Sequence, residues 1–153
     1  MKLFWLILKV LAIFITVGPL VGLVAFATGI SALALTNGPA DAFWLGPFFL
    51  IYGLAFAHFF GALWAFLAGL IAIGTAKCLG QAPVWIGPGS GIASFAVSTV
   101  RPPWQLPPDT DSAIGQQVNA FGPSFVVVVL LTHVAAATVC WLLTRRFARR
   151  ELA

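Results

Sequence analysis

The sequence predicts an all-α membrane fold, a bundle of four transmembrane helices built from two tandem helical hairpins. Three observations predict it. Residues 43–76 form a run of 34 without a charged side chain and with one histidine, His58; a helix needs only about 20 apolar residues to cross hydrocarbon. The whole chain is 61% hydrophobic and 8% charged, where soluble domains carry roughly 25% charge. The third observation is internal similarity. Gly18, Pro19, Gly22, Phe26 and Ala27 recur as Gly87, Pro88, Gly91, Phe95 and Ala96, an offset of 69; Pro47 and His58 recur as Pro123 and His133, at 76 and 75. The same order of a Gly-Pro-small helix and a Gly-Pro-His helix, met twice, predicts an internal duplication with parallel repeats.

The first hairpin is expected over residues 1–76, with helices at about 8–35 and 46–75. Ala25-Phe26-Ala27 has the look of a signal-peptide processing site. The apolar stretch is longer than the roughly 7–15 residues of a signal core, so a retained first helix is the better reading. Lys9 is expected to extend its stem and place its ammonium at the interface. Residues 36–41 read as a turn, because Asn-Gly and Gly-Pro both break helices. Pro47 then suits a first helical turn, where its missing N–H is no loss.

The second hairpin is expected over 77–153, with helices at about 83–100 and 123–144 and an Arg-rich cytoplasmic tail at 145–153. The 83–100 segment is rich in Gly and Ser and is the weaker span; a re-entrant hairpin is its alternative. Pro102-Pro103 and Pro107-Pro108 favour extended backbone in the one sizeable loop. Asp109 and Asp111 there read as loop solvation.

Cation bias sets the orientation. With four crossings, Lys2, Lys9, Lys77, Arg145, Arg146, Arg149 and Arg150 fall on one side and Arg101 on the other. Both termini are therefore expected in the cytoplasm, and short loops suit a bacterial inner membrane. Trp44 and Trp104 should mark the outer interface, Trp85 and Trp141 the inner one. The four tail arginines, Arg145, Arg146, Arg149 and Arg150, should attract anionic lipid headgroups.

Small residues let helix backbones approach in a membrane. Gly53, Ala57, Gly61, Ala65 and Gly69 form an i, i+4 stripe that also carries His58, opposite Phe48, Tyr52 and Phe66. Gly18 and Gly22, with Ala25 and Gly29, form such a stripe on the first helix; Gly87 and Gly91, with Ser94 and Ser98, form one on the third. On the last helix His133 shares a face with Ala136, Ala137, Cys140 and Thr144, while Leu131 and Leu142 face away. His58 lies 11 residues after Pro47 and His133 lies 10 after Pro123, so the two imidazoles are expected at similar depth, facing inward.

Those residues frame three functional classes. A non-catalytic scaffold, assembly factor or accessory subunit of a membrane complex is the leading reading, with the lipid bilayer, other membrane subunits or a second copy as partners. The first alternative is a b-type haem clamped axially by His58 and His133, with Arg101 as a candidate for a propionate. The second is a small transporter or proton-conducting channel, with the Gly-Pro pairs breaking helices along a path; no Asp or Glu lies in a span to relay protons. Nucleic-acid binding is excluded, since no water-facing surface interleaves basic and aromatic residues. Enzyme activity is not expected. Gly87-Pro88-Gly89-Ser90-Gly91 lacks the lysine of a phosphate-binding loop, Ser90 has no neighbouring base, and Cys78 and Cys140 form no metal-binding motif.

Overall fold

The computed structural model describes residues 2–37, 44–99 and 123–152, all but a few turn residues helical. The helices are α1 (Lys2–Asn37), α2 (Leu45–Leu79), α3 (Ile86–Thr99) and α4 (Pro123–Leu152). Much of the expected turn at 36–41 and the Pro-rich loop with Arg101, Trp104, Asp109 and Asp111 lie outside the described residues.

Three helices have the length and composition of a membrane crossing: Leu3–Thr36, Gly61–Leu79 and Ser124–Arg150. Apolar helices of this length mark a membrane protein, because only a helix satisfies its own backbone in hydrocarbon. α3 differs. Its 14 residues span roughly 21 Å at 1.5 Å each, short of the ~30 Å hydrocarbon core.

The helices run alternately up and down. Leu11 and Phe14 of α1 meet Gly69 of α2, while Leu23 meets Gly53, so α1 and α2 are antiparallel. Gly22 and Gly29 of α1 face Ala136 and Val128 of α4, and Gly87 and Gly91 of α3 face Thr138 and Val134 of α4, so α4 is antiparallel to both. α1 packs between α2 and α4, and α3 lies on α4 and, less extensively, on α2. The start of α1, the end of α2 and the end of α4 therefore share one end of the molecule, which gathers Lys9, Lys77 and the four arginines of α4.

Helix ends depart from the expected ones in an instructive way. The 145–153 segment is not a separate tail, because α4 continues to Leu152 with Arg149 and Arg150 in its last turn. Arginine is a good helix former, and cations near a helix C-terminus interact favourably with its dipole. α2 stops at Gly80, whose φ of 62° is left-handed; its N–H bonds back to Ala76 and Lys77 carbonyls. Only glycine enters that conformation without steric cost.

The core sits towards the shared end. Leu6, Val10 and Phe14 of α1, Ala68, Ala72 and Ala76 of α2, Ile86 of α3 and Ala137, Cys140 and Trp141 of α4 form one buried cluster. Leu131 and Leu142 face outward as expected, as do Phe48, Tyr52 and Phe66.

Candidate functional site

The small-residue stripes are where the helices touch. Gly18 packs on Ala65 and Cys140, Gly22 on Thr132 and Ala136, and Gly61 on Pro19. A Cβ at Gly91 would lie 2.7 Å from the His133 carbonyl oxygen and from Val134 Cα, and one at Gly87 3.0 Å from Thr138 Cα. Those neighbours are backbone and cannot swing aside. α3 and α4 therefore cross in direct backbone contact, a crossing that only glycine admits. Gly53 meets Leu23, and at Gly46 a Cβ would overlap the Ser31 hydroxyl and the Ala27 carbonyl.

His58 has a definite partner. Its ring is exposed at the surface of α2, yet Nε2–H donates to the Thr16 carbonyl of α1 across 3.2 Å. Pro19 sits inside that helix, and its missing N–H leaves the Ile15 carbonyl, four residues back, without its helical donor. The His58 bond reaches the next carbonyl along, that of Thr16, and ties α2 to α1 beside the proline. The expectation that His58 is turned wholly inward is thus corrected: it lies at the edge of the α1–α2 seam.

His133 is placed differently. Nδ1–H donates to the Val129 carbonyl within its own helix at 2.9 Å. The ring stacks edge-on against Phe95, with centroids 5.6 Å apart. Nε2 is buried without any partner. His133 lines a cavity of about 220 Å³ between α1, α2 and α4, together with Ala57, Gly61, Trp64, Thr132 and Ala136. Ser94 of α3 also reaches its wall, and the hydroxyls of Ser94 and Thr132 donate to carbonyls of their own helices, Gly91 and Val128. The wall is otherwise apolar.

The two histidines do not converge on this cavity. Ala57 lines it, whereas His58 is turned to Thr16. A volume of about 220 Å³ is also below the roughly 300–1,000 Å³ of ordinary ligand pockets. This arrangement does not fit a bis-histidine haem.

At the cation-rich end the arginines divide. Arg145 Nε–H donates to the Ala82 carbonyl at 2.8 Å, pinning the turn between α2 and α3. Arg145 and Arg149 line a surface cavity of about 480 Å³ against residues 80–84 and Arg146 and Arg150 do not; Arg145 is half-buried and the other three are exposed. Trp141 was expected as an interface anchor. It is fully buried and donates its indole N–H to Pro83 at 2.8 Å. Trp44 and Trp85 are exposed, as interfacial tryptophans are.

Among the described residues no cluster of His, Cys, Asp or Glu has the makings of a metal site. Compared with known protein families, curated proteins and solved structures, the chain matches none of them.

Proposed function

We propose that the chain is a non-catalytic scaffold, assembly factor or accessory subunit of a membrane complex. One observation carries this reading: most of the described polar side chains in the spans bond to carbonyls of the chain itself. Thr16, Thr28, Ser90 and Ser98 return their hydroxyls to carbonyls of their own helices. His58, Trp141 and Arg145 tie one helix or turn to another. What remains outside is broad apolar surface, with Ile51 71%, Leu63 64% and Leu131 58% exposed. Lipid or another membrane subunit is the natural cover for such faces.

The fuller architecture belongs to the same proposal. Two parallel hairpins, α1–α2 and α3–α4, would descend from a duplication, with α3 as the fourth and shortest crossing. The histidines of the two hairpins are used differently: His58 reaches the Thr16 carbonyl of α1, whereas His133 bonds within its own helix. The gathering of cations at one end supports both termini lying in the cytoplasm, in a bacterial inner membrane.

Transport finds less support. Gly18-Pro19 lies within a continuous helix and Gly87-Pro88 in a first turn, so neither pair makes the broken helix that such a path uses.

Extraction of the chain from its own membrane in lipid-preserving polymer particles tests the proposal. The expected particle contains a second copy or a partner in fixed stoichiometry. A colourless, monomeric particle would overturn the scaffold reading. A Soret band lost in His133→Ala would replace it with haem binding.

A further inference from the structure

We infer that Arg145, Arg149 and the 80–84 turn form a binding site for one phosphate group at the membrane edge. The two guanidinium groups sit one helical turn apart on the same face of α4, at the wall of the 480 Å³ cavity. Like charges at this spacing repel, and a shared anion removes the repulsion.

The site is built rather than incidental. Arg145 is part-buried and its Nε is committed to the Ala82 carbonyl, which fixes the plane of the guanidinium. Its two terminal nitrogens, four further N–H donors, remain for a ligand, and that fork matches the oxygen spacing of phosphate. The opposite wall is equally fixed: Trp141 holds the Pro83 carbonyl, and the N–H groups of Gly80 and Gln81 close the end of α2. Glu151 is the one acidic residue in the described helices, so cations dominate this end. The level is right as well, because the apolar spans end at Leu79 and Arg150. Headgroup phosphates of a bilayer lie at that height.

The ligand chemistry is a phosphate oxyanion, supplied either as the diester of an anionic lipid or as the free ion. General attraction of cations to an anionic surface would treat all four arginines of α4 alike. This geometry separates Arg145 and Arg149 from Arg146 and Arg150. The inference rests on the chain being embedded in a membrane; a chain that stayed in the aqueous phase without detergent would fail that reading first.

The full chain in a non-ionic detergent is titrated with phosphatidylglycerol, phosphatidylcholine and inorganic phosphate, read by native mass spectrometry and thermal shift. The expected result is a single phosphatidylglycerol adduct, weakened at least about tenfold in Arg149→Gln, which loses a charge-assisted hydrogen bond to the phosphate, and retained in the Arg146→Gln/Arg150→Gln double variant. Arg149 is exposed and makes no hydrogen bond to the turn, so its variant keeps the fold; an unchanged circular dichroism melt verifies this. Saturation by inorganic phosphate that displaces the lipid assigns the site to the free ion, and indifference to it assigns the site to the lipid. Equal loss in both sets of variants, or equal binding of phosphatidylcholine, overturns the inference.

Discussion

Trp141 of α4 donates its indole N–H to the Pro83 carbonyl across 2.8 Å, and its ring is buried completely. One side chain thereby fixes the turn from which α3 departs, and Arg145 one turn later holds the adjacent Ala82 carbonyl. Trp141→Phe keeps most of the buried ring and deletes only the donor. The carbonyl is left unpaired, at an expected cost of about 1–2 kcal/mol, the range for polar contacts between membrane helices. Reversible unfolding in mixed micelles measures it, and an unchanged stability would show that the clamp is dispensable.

The glycines give a second prediction through contrast. Gly91→Ala forces a methyl to within 2.7 Å of backbone atoms of His133 and Val134, so α3 must move off α4. Overpacking of this kind costs about 1–3 kcal/mol, and the α3–α4 crossing should loosen. Gly74→Ala, by comparison, meets nothing within 4 Å. It should leave stability unchanged or raise it by up to about 1 kcal/mol through helix propensity. The same micelle unfolding assay reads both, and the order of the two variants is the test.

That contrast shows what was legible in the sequence. Membrane character and helix type follow from long charge-free runs, and the stripes through Gly22, Gly61 and Gly91 follow from spacing alone, because a 3.6-residue period places them on one face. The roles of His58, Trp141 and Arg145 were not legible. Each depends on a carbonyl of a different segment (Thr16, Pro83, Ala82), and backbone acceptors leave no mark in side-chain patterns. The split among the arginines depends on α4 remaining helical past residue 144, where a run of cations read as a tail.

The histidines should respond oppositely. His58→Phe removes the donor to the Thr16 carbonyl beside Pro19 and should lower stability by about 1 kcal/mol. His133→Phe removes a buried nitrogen that has no partner, and the Val129 carbonyl keeps its helical N–H. Relief of an unsatisfied polar atom should leave the variant as stable as the parent or up to about 1 kcal/mol more so. If His133 held a cofactor through Nε2, its variant would be the damaged one. Thermal melts of the two purified variants, side by side with absorption spectra, distinguish these outcomes.

The cysteines report both packing and orientation. Cys140 is completely buried at the junction of α1 and α4, 3.9 Å from the Ile13 carbonyl, whereas Cys78 is exposed near the end of α2. A maleimide should therefore label one thiol in the folded protein and two after unfolding, and Cys78→Ser should abolish the first labelling while sparing the second. The end of α2 is also the cation-rich end. If cation bias places that end in the cytoplasm, a membrane-impermeant maleimide should label Cys78 in inverted vesicles and spare it in intact cells. Labelling from the outside would reverse the orientation without touching the helix packing. Labelling of Cys140 in the folded state would instead break the packing of α1 on α4.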